Sequence, residues 1–437
     1  TEVERQQIYS LPHLATLVSA RMLKNRSPSG ETASGECRDV FLSILSGDGE
    51  CNALVGMPVL LGGHKSKDHF SILQKGAPFC LKFIYFCARK SGRRHSSAPE
   101  ADFPATGSGC RAGKRIPSIM KRILIVGAGG QIGSELTTFL RGLYGNANVV
   151  AADVRECRAL SETGPFVVLN ALDPHAYGYT VNKYKVDTIF NLVALLSAVG
   201  EKDPQLAWNI NMGALMNSLD IARQYGCSLF TPSSIGAFGL SSPKERTPQD
   251  TLMRPNTIYG VCKVTGELLS DYYHSKYGVD TRSVRFPGII SSVTLPGGGT
   301  TDYAVEIFYD AVKTGRFACP IPGDVYMDMM YMPDALNACV QLMEADPARL
   351  VHRNAFNITS MSFTPEILAA EIRKHMPDFE MTYRIDPVKE GIARSWPDSM
   401  DDACARREWD WAPTWDLASM TADMLRNVER KHREGKV

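Results

Sequence analysis

Ile123-Leu124-Ile125-Val126-Gly127-Ala128-Gly129-Gly130-Gln131-Ile132-Gly133 is the stretch that decides how this chain folds. Four consecutive apolar residues meet a glycine-rich turn, and the turn opens a helical pattern from Gln131 to Leu143. A continuous apolar run of strand length marks a parallel strand buried on both faces. Each glycine of the turn has its own physical reason. Gly127 permits the tight exit from the strand, Gly130 lets backbone approach a pyrophosphate, and Gly133 lets the helix pack against the sheet. Gln131 and Ile132 begin that helix, whose N-terminus offers N–H groups and a positive dipole end to phosphates.

The same pattern extends along the chain. Apolar runs at Arg122–Val126, Asn148–Ala152, Phe166–Leu169, Thr188–Val193, Ser228–Pro232 and Thr281–Arg285 alternate with helical stretches, and Ala355–Ile358 supplies a seventh. Such alternation predicts an α/β fold, a doubly wound parallel Rossmann sheet with helices on both faces and ligand at the carboxyl ends of the strands. After residue 290 the pattern loosens at Pro296-Gly297-Gly298-Gly299. The expected division is a dinucleotide-binding domain over residues 120–290 and a smaller, mainly substrate-binding domain over 291–437, with a return to the sheet near 331–359. Tyr303–Tyr309 reads as a helix that closes on a substrate.

Residues 1–119 differ from the rest. Five of the eleven cysteines lie there, Ser/Gly-rich stretches recur, and hydrophobic periodicity is poor. Two readings are open: a disordered or translated upstream extension, or an organelle-targeting leader. Residues 89–119, which contain Arg and Ser and few acids, suit the second. Over all 437 residues, 44% apolar and 22% charged composition reads as soluble and globular. A net charge of +1 gives no bulk attraction to nucleic acid or an anionic membrane. No apolar run approaches the ~20 residues that span a bilayer. The cysteines form no Cys-x-x-Cys pair and the nine histidines are scattered, so no metal site is expected. Reduced thiols in an intracellular protein are the simpler reading.

The second strand candidate leads to Asp153, twenty residues past Gly133. A carboxylate there accepts hydrogen bonds from the adenosine ribose and repels a 2′-phosphate, favouring NAD over NADP. Arg155 stands against this, as a cation two residues on that can accommodate the phosphate. Leu172-Asp173 is placed to flank the adenine, although Leu172 serves equally as packing. Leu192-Val193-Ala194 ends the fourth strand, where small residues let a cofactor lie against backbone. Arg285-Phe286-Pro287-Gly288-Ile289 ends the sixth, where the backbone around Pro287 and Ile289 is placed to hold a nicotinamide amide.

Far downstream, Tyr259-Gly260-Val261-Cys262-Lys263 lies in a helical pattern from Asn256 to Gly278. Tyr259 and Lys263, at i and i+4, share one face. A free phenol has a pKa of about 10 and is a weak base at neutral pH. A neighbouring ammonium stabilises the phenolate, which suits proton transfer, and Lys263 can also bond the nicotinamide ribose. Ser233 and Ser234 end the fifth strand. Either hydroxyl can hold a substrate oxygen, and one can equally cap a helix.

The glycine turn, the serine, Tyr-x-x-x-Lys and Arg-Phe-Pro-Gly, in this order over residues 121–430, resemble the extended short-chain dehydrogenase/reductase superfamily. There the active hydroxyl stands five residues before a loop-closing glycine, here Gly239, which selects Ser234. Asn211 matches the superfamily's structural or catalytic asparagine. Within the superfamily the likeness is to the short-chain L-threonine 3-dehydrogenases. It is carried by Ala194-Leu195-Leu196-Ser197-Ala198, Pro232–Gly239, Pro296–Ala304, Ser395-Trp396-Pro397 and Asp401–Arg406. The resemblance implies oxidation of threonine at the β-hydroxyl to 2-amino-3-oxobutanoate, with NAD as cofactor. That product either loses CO₂ or is cleaved with coenzyme A by a partner ligase or lyase. The resemblance places Ser197 and Thr301 near the substrate, where both serve equally as turn residues, and Ser233, Gly288 and Thr300 are the further candidate substrate contacts. Trp396 either covers the pocket or is a buried aromatic of the small domain. Members in trypanosomes and animals are mitochondrial, and the superfamily commonly forms homodimers.

Two rival readings share the motifs. A nucleotide-sugar epimerase or dehydratase has the same fold and triad, but usually needs basic groups for a diphosphate in its carboxyl-terminal part. A non-catalytic dinucleotide sensor has no need of an intact Ser234, Tyr259 and Lys263.

Overall fold

The computed structural model describes residues 120–295 and 297–436, together with the backbone of two strands nearer the N-terminus. Those strands, Arg38–Leu45 and Cys51–Val59, pair antiparallel within a first unit, Thr1–Gly107. The rest of residues 1–119, on which the extension and leader readings fall, lies outside the described residues. Everything below concerns the second unit, Ser108–Val437.

Six strands form its main sheet: β1 (Ile123–Val126), β2 (Val149–Asp153), β3 (Phe166–Val168), β4 (Thr188–Asn191), β5 (Ser228–Phe230) and β6 (Thr281–Arg282). Their order is β3-β2-β1-β4-β5-β6, with every adjacent pair parallel. This is the doubly wound order, and the direction of winding reverses between β1 and β4. Alternate residues of β1 serve opposite faces. Ile123 and Ile125 join a core with Leu136, Leu140 and the helix Met332–Glu344. Leu124 and Val126 join another with Leu215 and Leu219. Both faces are therefore covered, which is why the strand has no polar positions.

Four helices matter for the site: α1 (Gln131–Tyr144), α2 (Pro174–Tyr184), α3 (Pro204–Tyr225) and α4 (Ile258–Tyr277). The sequence predicts one strand over Thr281–Arg285, whereas the chain forms two. At Ser283 the strand steps sideways, its N–H donating to Arg353 O and its hydroxyl accepting from Ser233 N. Beyond the step, Val284–Phe286 pairs in parallel with Ser233–Ser234 on one side and Phe356–Asn357 on the other. Ser234 is thus fixed in a second, shorter sheet that continues the first.

A separate hydrophobic core is built on Ile307, Phe308, Met327, Phe363, Leu368, Met420 and Met424. The helix Tyr303–Thr314 is central to it. Tyr303, Phe308 and Tyr309 are all buried, so this helix is a core element and not the moving lid expected from sequence.

Asp328 lies wholly inside this region, accepting from Thr359 Oγ1 at 2.6 Å and Met400 N at 2.8 Å. Burial pushes its carboxyl from the ordinary 3.8 up to about 8. The folded value lies above the unfolded one. The stabilising contribution is therefore complete below about pH 4 and is lost as pH rises through about 8. Asp328→Asn should flatten the decline of thermal stability between those pH values. A melting profile with the wild-type slope would show that Asp328 does not titrate there.

Candidate active site

The reversal of strand order opens a crevice between the ends of β1 and β4, and the glycine turn occupies it. Gly127 has φ +85°, and a Cβ there would stand 3.0 Å from both Leu192 C and Val193 N. A Cβ on Gly133 would meet Gly127 O at 2.2 Å and Ala128 Cα at 2.9 Å. On Gly130 it would meet only Gly127 O, at an ordinary 3.4 Å. Packing thus demands glycine at 127 and 133. Gly130 is exposed and begins α1 without a side-chain cap, so its freedom serves whatever approaches from outside. Gln131 adds a second sign of a missing partner, since its amide nitrogen is buried without a hydrogen bond. Ile132, beside it on α1, packs against the core below the sheet.

Asp153 sits at the end of β2. Its carboxylate accepts from Gly129 N at 2.9 Å and Arg155 N at 3.2 Å, which draws it over the turn. The Arg155 side chain is exposed. Leu172 is 41% exposed, available to a ring lying on it. Asp173 caps α2, one carboxylate oxygen accepting from His175 N and Ala176 N. Its position is therefore set by the helix. Leu192 and Ala194 lie along the exit of β4, Leu192 N donating to Val126 O. Pro287 and Ile289 flank Gly288 at the end of the sixth-strand segment, Ile289 packing onto the core.

The reacting groups meet at Gly236. A Cβ there would stand 3.2 Å from two carbons of the Tyr259 ring and 3.5 Å from Ser234 Oγ. The bare glycine lets the Tyr259 ring and the Ser234 hydroxyl approach the same backbone position. Ser234 Oγ accepts from Gly236 N at 3.1 Å, which fixes its direction. Tyr259 lies in the first turn of α4, which Thr257 caps. Lys263 donates to Pro232 O at 2.6 Å, with its Nζ 5.3 Å from the Tyr259 ring centre.

The other candidate substrate residues pack against one another. Ser197 Oγ lies 3.3 Å from Thr300 Oγ1, and both are buried. Gly288 backs onto Thr301, whose Cβ would lie 2.9 Å from an added methyl. One sequence expectation is corrected, at Ser233, and at Asn211 and Trp396 the structure favours the structural one of two open alternatives. Ser233 donates its hydroxyl to Glu267, so it faces the helix and not a substrate. Asn211 uses both ends of its amide on Leu195, accepting from its N–H at 2.7 Å and donating to its carbonyl at 3.2 Å. It shapes the exit of β4, the structural one of the two roles open to it, and lines one cavity together with Pro232 and Lys263. Trp396 is buried with Ile235, Phe238, Ile392 and Met400, so it supports the loop after Ser234 and does not cover a pocket.

Residues 123–359 match the NAD dependent epimerase/dehydratase family. The chain belongs to that family. An uncharacterized epimerase/dehydratase of Staphylococcus haemolyticus is 55% identical over 316 residues, 72% of this chain and 99% of the relative. Among solved structures, the L-threonine dehydrogenase from Clostridium difficile is 56% identical, with a TM-score of 0.70 over 71% of this chain and 98% of its own. The L-threonine dehydrogenase from Phytophthora infestans is 46% identical, with a TM-score of 0.69 over 71% and 100%.

As in its family, the cofactor of this protein is NAD, and the turn, the unpartnered Gln131 amide and Asp153 fit it. Asp153→Ala should raise the Kd for NAD about 10- to 100-fold, the loss expected of hydrogen bonds to a charged group. It should also narrow the preference over NADP. Equal NAD affinity in a titration would place the ribose elsewhere.

Gly236 and Glu267 are not singled out by the sequence, and Arg285 stands out only as the start of Arg285-Phe286-Pro287-Gly288. Glu267 follows Lys263 by four residues, so the i+4 spacing that joined Tyr259 to Lys263 could have found it. Gly236 carried no such signal. His352, Cys404 and Glu408 bring potential metal ligands within 4.8 Å of one another. Arg407 already donates to Cys404 Sγ and Glu408 Oε1, and His352 Nδ1 lies 2.6 Å from that same oxygen. Cationic and imidazole groups therefore occupy these atoms. Among the described residues no helix is long and apolar enough to cross a membrane.

Proposed function

We propose that this protein oxidises L-threonine at its β-hydroxyl to 2-amino-3-oxobutanoate. The observation that carries the reading is the meeting of Ser234 Oγ and the Tyr259 ring across Gly236, in a chain similar to L-threonine dehydrogenases along nearly their whole length. Ser234 holds the substrate hydroxyl and stabilises the developing carbonyl. Tyr259 takes the hydroxyl proton, and Lys263 supports the charge that forms on its oxygen. NAD supplies the hydride acceptor for Cβ. Ser197, Thr300 and Thr301 are the candidate partners for the amino and carboxylate groups of a short amino acid.

NADH absorbance with L-threonine, set against a UDP-hexose, tests the reading. Threonine-dependent NADH is expected. Epimerised or dehydrated sugar nucleotide without it would favour the epimerase/dehydratase reading, and NAD binding without turnover of either a sensor.

Val261, Leu268 and Tyr272 leave an apolar strip exposed on α4, and Leu206 and Trp208 do so on α3, which supports a homodimer through these helices. The product calls for a coenzyme A-dependent ligase or lyase downstream. A mitochondrial address rests on residues 89–119 acting as a leader.

A further inference from the structure

Glu267 is a buried carboxylate that the mechanism above does not use. It lies eight residues beyond Tyr259 and four beyond Lys263 on one face of α4. Arg285 binds it in a fork, Nε to Oε1 at 3.0 Å and Nη2 to Oε2 at 2.8 Å, with both side chains no more than 5% exposed. Arg285 is itself immobilised. Its Nη1 donates to Gln249 O at 2.8 Å and Asn357 Oδ1 at 2.9 Å, and its guanidinium lies 5.2 Å from the Phe238 ring centre. The oxygen that takes Arg285 Nε also accepts the Ser233 hydroxyl.

The consequence is a matching of helix to strand exit. Lys263 grips Pro232 through its carbonyl, Glu267 grips Ser233 through its hydroxyl, and Ser234 then stands opposite Tyr259. A pair needed only for packing would have no reason to hold the residue next to the reacting serine. We infer that Glu267 is a positioning residue: anchored by Arg285, it holds the Ser233–Ser234 step in register with the helix that carries Tyr259 and Lys263. This rests on the dehydrogenase reading above for its kinetic test, though not for its structural one.

Misplacing a reacting group by about 1 Å can cost 10²-fold in rate. Glu267→Gln should therefore lower kcat by roughly that factor, with Kd for NAD unchanged. Because it strands the buried Arg285 charge, that variant can fail to fold, so Ser233→Ala, which leaves the ion pair intact, is the second arm. It should lower kcat about tenfold or more per folded molecule, whatever the lost hydrogen bond does to the melting temperature. A purely structural role predicts a lower melting temperature and unchanged kcat per folded molecule. The deciding readout is a double-mutant cycle. If Ser233 acts through Ser234, Ser233→Ala adds nothing to Ser234→Ala; a fully additive loss overturns the inference.

Absence of wild-type threonine turnover would count against the dehydrogenase reading alone. The inference is then decided by crystallography of the NAD complex of Ser233→Ala. A Ser234 hydroxyl displaced from Gly236 N supports it, and an unmoved one overturns it.

Discussion

Tyr259→Phe lowers kcat for threonine oxidation about 10²- to 10⁴-fold, the usual worth of a positioned general acid or base, while NAD binds as before. The ring is held on one side by Gly236 and lies 5.3 Å from Lys263 Nζ, and phenylalanine keeps both contacts. Only the oxygen that takes the substrate proton is lost. Steady-state kinetics and a direct NAD titration separate the two effects. An undiminished kcat would mean that another group takes the proton.

The second large effect is on folding and cofactor binding together. Gly133→Ala places a methyl 2.2 Å from Gly127 O and 2.9 Å from Ala128 Cα. Both obstacles are backbone, so no rotamer change relieves them, and α1 must move away from the turn. Overpacking of this kind costs about 1–3 kcal/mol. Because both clashes are with backbone, the cost lies toward the upper end of that range, and the roughly 1 kcal/mol that alanine gains over glycine inside a helix offsets only part of it. At about 2–4 °C per kcal/mol for a domain of this size, the melting temperature falls several degrees and NAD affinity falls with it. Gly130→Ala is the control. Its methyl makes an ordinary 3.4 Å contact, so the protein keeps its stability and loses affinity only where the pyrophosphate approaches. Equal behaviour of the two variants in calorimetry and NAD titration would refute the separate roles given to these glycines.

The parallel sheet was legible because burial on both faces leaves a plain trace, as in Ile123–Val126 and Thr188–Asn191. The reacting groups were legible because Tyr259 and Lys263 share a helix turn. What escaped depends on distant partners. Nothing local says that Ser233 turns to Glu267, that Asn211 is held by Leu195, or that Trp396 packs under the Ser234 loop. The step at Ser283 was hidden for the same reason, since its cause is Arg353, seventy residues away. Tyr303–Tyr309 misled because its apolar pattern suits a core helix and a closing helix alike.

The central claim is that hydride leaves the β-carbon of threonine. L-Threonine carrying deuterium on that carbon, incubated with the protein and NAD, tests it directly. The deuterium should appear in the reduced cofactor, read by mass spectrometry, with slower turnover than for unlabelled threonine if hydride transfer limits the rate. Reduced cofactor without deuterium, or no reduced cofactor at all, would contradict it.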